Sequence, residues 1–368
     1  MNSTTTFLHK LTANLLRQKG EANPAVCPVS VLLGTVSVAL AATKNTDTHK
    51  DACAVLGMDA DNEEAFLGDC QKMCEDLLEK QVRVNLTIAT SMWCQDVKPS
   101  FTLLCKEKLQ AEVRGLPGCK VINNWVEENT NGMIKEVITS DPDGPLVVVP
   151  VMAFDGKWTY MMEDDEETSK FHCSSTEDIE CAMMRLHEKL FYTKINGVQI
   201  VELPYGTQGG FKAYVLLPPV LSEPHVDGVF SLVDEAINLI AHAQNWKDVQ
   251  GVLTETRVSI SMPPFTVETN VSMKETLSEL GMPTAFSKDS SFKRMSDNPD
   301  VYLESMQHLV KIEVNSVGTK AAAATPVVFR SRGSGGKGTY MHVNRPFVFL
   351  ITRGDVILFA TVVRKPEQ

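Results

Sequence analysis

The chain of 368 residues contains no apolar run approaching the ~20 residues that a helix needs to cross a bilayer. The longest candidate, Val29 to Ala42, is interrupted by Ser30, Gly34, Thr35 and Ser37, and reads as a core helix of a soluble globular protein. Signatures of catalysis are missing as well: there is no GxSxG, no HExxH, no P-loop and no Cys-x-x-Cys, so an enzyme is not expected. Cysteine stops at Cys181, and an odd set of nine spread from Cys27 onward is no disulfide framework. Free, mostly buried thiols in a reducing, cytoplasmic compartment are expected instead. Cys70 and Cys74 share a helix face but have no second pair of ligands nearby, so they read as thiols rather than half a zinc site. The start, MNSTTTFLHKLTANLLRQKG, lacks a basic segment followed by an apolar one, so no secretory signal is read. A secreted mature form in which Met1 replaces a removed leader is the alternative. Cations are outnumbered, 35 Lys+Arg against 46 Asp+Glu, and the net charge of −11 argues against nucleic acid as a partner. There are no repeats and no linker long enough to divide the chain, which is expected to form one domain over residues 1–368.

What is present is enough for one large core: 43% of residues are hydrophobic and 22% charged. Helical spacing predicts helices over Phe7 to Arg17, Val29 to Thr43, the acidic Glu63 to Leu78, part of His225 to His242, and Ser272 to Leu280, which Gly281 ends. A further helix is predicted over Val121 to Ile138, with a stripe of Ile122, Trp125, Val126, Met133, Ile134 and Val137. Alternation predicts a strand over Gln81 to Trp93, and the Asn85-Leu-Thr sequon inside it carries no functional reading. Leu146 to Phe154 is almost continuously apolar, which implies a strand buried on both faces. Pro150 in its middle is at odds with a central ladder. Further strands are expected over Val198 to Leu203, Lys212 to Leu217, Arg257 to Ser261, Phe265 to Thr269, Val343 to Thr352 and Val356 to Val363, the last two joined through Arg353-Gly354-Asp355. The acid run Glu163 to Glu167 reads as a solvated loop rather than a metal site.

One stretch organises the rest: VNSVGTKAAAATPVVFRSRGSGGKGT, from Val314 to Thr339. By propensity, Ala321 to Ala324 is the last turn of a helix halted by Pro326, with a loop beyond. A second reading explains more of the residue choices. Thr319, Ala321, Ala323 and Thr325 fall on one face at the strand period, all small, with Lys320 on the other face and Gly318 at a hinge. The segment resembles the hinge and reactive-centre loop of a serpin. The resemblance extends through NPAVCPVSV (23–31), INNWVEENTNGMIKEVI (122–138), FDGKW (154–158), VELPYG (201–206), the segment from Val258 to Ser287 and HVNRPFVFL (342–350), in the family's order.

The resemblance implies an α+β serpin fold with three β-sheets, eight or nine helices and an exposed reactive-centre loop, here about 314–340. It also implies a monomer without cofactor or metal that inhibits a protease by forming a covalent complex. The cleaved loop then inserts into the main sheet. Its hinge would comprise Gly318, Thr319, Ala321, Ala322, Ala323, Ala324 and Thr325. The family's spacing from the hinge glycine puts the scissile bond between Arg332 and Gly333, which suits a trypsin-like serine protease. Arg330 is the first alternative, with Lys337 and Arg345 as other basic candidates. Asn23, Cys27, Ser30 and His308 match the family's sheet-opening cluster, and Trp158 its breach. The segment matching a heparin-binding helix, Asp59 to Lys80, is acidic, which argues against heparin. Departures are Ser316 for the usual hinge glutamate, Pro150 for the central asparagine, Pro326 inside the inserting segment, a shortened region between Lys106 and Cys119, and a loop lengthened by Gly335 to Gly338. Two readings stay open beside the inhibitor of serine proteases: a non-inhibitory carrier or chaperone-like serpin, and a cross-class inhibitor of cysteine proteases.

Overall fold

The computed structural model describes residues 3–17, 23–174, 176–219, 230–319 and 338–366. Among them are nine α-helices: α1 (Ser3–Leu16), α2 (Pro28–Ala41), α3 (Asp47–Leu56), α4 (Glu63–Leu78), α5 (Pro99–Leu109), α6 (Cys119–Asn129), α7 (Phe230–Ile240), α8 (Ala243–Gly251) and α9 (Lys274–Glu279). The main sheet has six strands in the order β12 (Phe265–Ser272), β13 (Leu303–Val314), β14 (Gly318–Thr319), β4 (Leu146–Lys157), β2 (Val84–Cys94) and β3 (Glu112–Arg114). A second sheet runs β1 (Ala25–Val26), β17 (Val356–Val363), β16 (Phe347–Arg353), β10 (Phe211–Leu217), β9 (Val198–Pro204), β8 (Met184–Ile195), β11 (Thr254–Met262) and β15 (Thr339–His342), with β5 (Glu163–Asp164) paired to β8. A ribbon of β6 (Ser169–His172) and β7 (Asp178–Cys181) is the third. The mixed architecture and the three sheets match the fold expected from sequence.

The core lies where α2 is enclosed between the two large sheets. All fourteen residues of α2 are buried, and its hydroxyls are satisfied inside the helix: Thr35 donates to Val31 O at 2.8 Å and Ser37 to Leu33 O at 2.9 Å. This is how a run containing Ser and Thr can be fully buried. The β16–β17 hairpin, turned by Gly354 with φ 59°, is equally apolar and forms the opposite wall. A second apolar cluster covers the outer face of the main sheet, with Trp93, Val147, Val149, Val151 and Leu309 beneath Ile122, Trp125, Val126, Ile134 and Val137. β4 is therefore buried on both faces, as its continuous apolar run implies.

Four sequence expectations need correction. The helix predicted to Ile138 ends at Asn129, because Asn131 (φ 52°) and Gly132 (φ 71°) turn left-handed and Thr130 bonds Val126 O at 2.7 Å. Ile134 and Val137 keep their place on the apolar stripe because Asn123 accepts the Val137 and Ile138 amides at 2.9 and 3.1 Å. The strand predicted from Gln81 starts at Val84, after Arg83 at φ 69°. The acid run is only partly solvated: Asp164 bonds a residue of the hinge and Asp165 pairs with Arg185. Finally, a long strand at Met184–Ile195 and helices α3 and α5 were not anticipated. The edge strand β3 is only three residues long, consistent with the shortened region before Cys119.

A buried charge cluster ties α3 to α4. Glu63 receives His49 at 2.7 Å, Arg294 at 3.0 Å and Lys44 at 3.1 Å. Burial alone would raise its pKa, but these partners outweigh it and hold the carboxyl down to about 2. Its contribution is complete above the unfolded value near 4.5 and is lost as pH falls toward about 2. Glu63→Gln should destabilise the fold by about 2 kcal/mol, because the buried carboxylate on which Arg294, Lys44 and His49 converge is lost. Thermal unfolding at pH 7 checks this, and an unchanged Tm would contradict it.

Candidate functional site

The six-stranded sheet is incompletely zipped. β4 pairs with β2 along its whole length, from Leu146↔Cys94 to Gly156↔Val84. On its other side it meets β13 in a parallel ladder only over Leu146–Val148 against Leu303–Met306. Above that, Val149 to Asp155 and Gln307 to Glu313 have no ladder partner on their facing edges among the described residues. The ladder resumes at the top, where the two residues of β14 sit between the strands, Thr319 opposite Gly156 on β4 and opposite Val314 on β13. Two strands held apart, with a short antiparallel segment wedged at one end, make a slot for an extended chain.

Pro150 fits this arrangement, contrary to the expectation that it conflicts with a central strand. Lys157 donates its amide to Arg83 O at 3.0 Å on the β2 side, so odd residues of β4 face β2 and even ones face the slot. The missing N–H of Pro150 therefore lies on the open edge, and the β2 ladder is unaffected. Its ring and the Met306 sulfur converge on Gly34 of α2, where an added Cβ would stand 3.0 Å from each. That contact requires glycine at position 34.

The top of the slot is held by several residues. Trp158, buried, donates its amide to Val317 O at 2.9 Å and its indole N–H to Asn315 O at 2.9 Å, and stacks on Tyr205 at 4.3 Å. Tyr205 and Thr319 join hydroxyls beneath the sheet. Asn315 Oδ1 accepts the Val317 and Gly318 amides at 2.9 and 3.1 Å, an Asx turn that re-aims the chain into the sheet. Gly318 is required by close approach: a Cβ there would lie 2.1 Å from Gly156 O. Ser316, in place of a glutamate, donates to Asp164 at 3.0 Å. Trp158, Gly318 and Thr319 lie together here. Tyr205, Asn315 and Asp164 were not singled out from sequence, although Asn315-Ser-Val-Gly318 carries a turn signal and Tyr205 belongs to the VELPYG motif.

Below the slot, His308, Cys27 and Ser30 come together. His308 is fully buried; its Nε2 accepts the Cys27 amide at 3.1 Å, and its Nδ1 lies 3.4 Å from Ser30 Oγ. Ser30 gives its own proton to Cys27 O at 2.9 Å, which assigns the Nδ1–H tautomer. Asn23 does not join this cluster, a correction to the sequence reading. It precedes the edge strand β1, and its amide clamps the end of the chain, donating to Lys365 O at 2.7 Å and accepting the Arg364 amide at 2.7 Å. Arg345 is removed from the scissile candidates, since its guanidinium donates twice to Pro218 O, at 2.7 and 3.0 Å. Ala321, Ala322, Ala323, Ala324, Thr325, Arg330, Arg332 and Gly333 lie outside the described residues.

No catalytic group emerges among the described residues. All nine thiols are free and pushed above their ordinary pKa, eight of them chiefly by burial and Cys119 by its bond to Asp141. Among the described residues, no three ligating side chains are grouped for a metal ion. No described helix is long and apolar enough to cross a membrane.

Comparison with known proteins gives the same picture. The model of the family described as "Serpin (serine protease inhibitor)" matches residues 2–366. Chicken neuroserpin is 27% identical over 97% of this chain and 90% of its own length, and human serpin B8 is 28% identical over 96% of each. Among solved structures, human thyroxine-binding globulin complexed with its hormone superposes with a TM-score of 0.85 at 20% identity over 99% of each chain, a likeness of fold.

Burial lowers the His308 pKa from 6.5 to about 4, so the folded protein keeps the ring neutral. The unfolded chain takes up its proton first as pH falls. The stability that depends on a neutral ring is whole above pH 6.5 and declines between 6.5 and about 4. The only titratable group bonded to this cluster, Cys27, stays a thiol at about 11. Tm measured from pH 7.5 to 4.5 should fall in the wild type, and His308→Gln should flatten that slope; parallel slopes would refute the assignment.

Proposed function

Because the chain belongs to the serpin family, we propose that it is a single-use, irreversible inhibitor of trypsin-like serine proteases with Arg332 as the residue presented to the enzyme. The observation that carries this reading is the open interval between β13 and β4 with Gly318 and Thr319 already in its mouth. The protease serine attacks the Arg332 carbonyl, the Gly333 amine leaves, and an ester links the two proteins. The chain N-terminal to that ester then extends β14 down the slot and carries the enzyme with it. Strand addition of this kind is itself exemplified by serpin loop insertion.

The register of β14 supports the choice of residues. Continued downward, it sets Ala321 between Phe154 and Ile312, Ala323 between Met152 and Val310, and Thr325 between Pro150 and His308. Phe154, Met152, Ile312, Val310 and His308 are all buried beneath the sheet, which is why this face of the loop must be small. Lys320 comes opposite Asp155 and Glu313 on the outer face. Two ladders form where none existed, each bond contributing ~0.5–1.5 kcal/mol net. Thr319, whose hydroxyl is bonded to Tyr205, is the last described residue of β14.

The non-inhibitory reading has one observation in its favour, the donor that Pro150 withholds from the slot. Mixing the protein with trypsin and separating the products in SDS decides between the two. A covalent complex, with a Tm raised by loop cleavage, is expected; complete turnover to cleaved chain favours the carrier, and complex formation with papain-like enzymes alone favours the cross-class reading. Ala321→Glu, which sets a carboxylate between Phe154 and Ile312, should convert the inhibitor to a substrate. Trapping at wild-type stoichiometry by that variant would sink the insertion account.

A further inference from the structure

Of the nine free thiols, Cys27 faces Met152, Cys53 faces His49, Cys94 and Cys181 face backbone carbonyls, and Cys119 is bonded to Asp141. Cys70 and Cys74 are placed differently. They stand one helical turn apart on α4, Cys70 buried and Cys74 half-buried, and both line one small pocket between α4, β2 and α5. Leu33, Leu78, Ile88 and Leu109 give it apolar walls, and Gln71 holds α4 to α5 beside it by donating to Glu107 O at 3.1 Å. The half-buried Cys74, with Leu78 38% exposed, gives a way in from solvent.

The space is ≈ 30 Å³, enough for one body of the size of a water molecule and too little for an organic ligand. Spacing then decides what two sulfurs there can do. Residues four apart on a helix have Cβ atoms roughly 5–6 Å apart. A disulfide requires roughly 3.5–4.5 Å, so the pair cannot close on itself without breaking the turn. Two metal–sulfur bonds of roughly 2.3 Å, set in line, span roughly 4.6 Å and fit that base. Ligand number decides which ion. Zinc takes four ligands, and among the described residues no three ligating side chains are grouped. Thiolates select Cu(I), a soft ion that two sulfurs in line satisfy. Burial, more than any neighbour, pushes the Cys70 thiol up to about 12 and the Cys74 thiol to about 11, with Cys74 and Asp69 adding to the first and Glu75 to the second. Neither is a thiolate at neutral pH, so only an ion whose bond to sulfur displaces the proton can enter. Lys108, which lines the pocket and pairs with Glu64 at 2.9 Å, is the cation placed to offset the added negative charge.

We propose that Cys70 and Cys74 form a two-coordinate site for Cu(I) on α4. On binding, two S–H bonds are exchanged for two Cu–S bonds, the copper stays Cu(I), and two protons go to solvent. The inference stands apart from the inhibitor reading and does not draw on the loop.

The test titrates the reduced full chain, without oxygen, against Cu(I) held by the coloured chelator bicinchoninate. One equivalent should pass from chelator to protein, and its X-ray absorption edge should be that of copper between two sulfurs. Because two protons leave, the apparent affinity should rise about a hundredfold from pH 6.5 to pH 7.5. A rise of about tenfold means one thiol and overturns the pair. Cys70→Ala, which keeps the buried position apolar, and Cys74→Ser, at the half-buried position, should each weaken binding at least about a hundredfold, while Cys119→Ser should leave it unchanged. Thermal unfolding controls for folding: Cu(I) should raise the Tm of the wild type and of Cys119→Ser but not that of Cys74→Ser. Copper taken up equally by the wild type, Cys70→Ala and Cys74→Ser, or not taken up at all, overturns the site.

Discussion

The structure depends on a sheet in which two interior strands, β4 and β13, are only partly laddered to one another among the described residues. Backbone amides and carbonyls inside a buried sheet are normally paired with neighbouring strands, because leaving them without partners in an apolar setting is costly. Here β4 is paired with β2 along its length and β13 with β12 over Gln307–Val314, and β4 and β13 are joined to one another only at the bottom. Both faces of the open interval are nevertheless packed, by α2 beneath and by α6 with the segment after it above. The result is an interval whose two facing edges have no ladder partner among the described residues, with two residues of a strand already paired at its top.

Three sets of contacts keep that gap in register. At the top, Trp158, Tyr205, Asn315 and Asp164 fix where the chain enters and which way Thr319 points. In the middle, a neutral His308 ties β13 to the start of α2 through Cys27 and Ser30, so the strand and the helix below it move as a unit. At the bottom, Glu304 receives the Asp143 and Gly144 amides at 3.2 and 2.8 Å, bracing the zipped part of the ladder beside a register shift in β13. None of these groups is suited to catalysis; each positions a strand edge.

Much of this was legible before the fold was seen. The mostly apolar α2, the twin strands β16 and β17, and β4 buried on two faces all follow from runs of side chains whose stable place is a core. The small-residue face of Thr319, Ala321, Ala323 and Thr325 follows from the strand period alone. What periodicity misread has local causes. The stripe from Ile122 to Val137 looks continuous, since the chain after Gly132 returns to the same apolar surface by a route other than a helix. The resemblance put Asn23 in the central cluster, but the strand β1 between it and Cys27 takes it to the far edge, where it binds Arg364 and Lys365.

Side-chain size, hydrophobic order and the positions of proline and glycine are written in the sequence, and by themselves they determined that this chain builds layered sheets around a buried helix, with a small-residue segment fit to become a strand. The tertiary structure alone decided which edge of which strand stays unpaired. That choice is made by register, and register joins residues far apart in the chain: Gly156 with Thr319, Cys27 with His308, Gly34 with Pro150 and Met306. Pro150 shows the difference most clearly. As a letter it forbids one hydrogen bond; only the parity of β4 puts that missing bond on the open side of the sheet, where it matters.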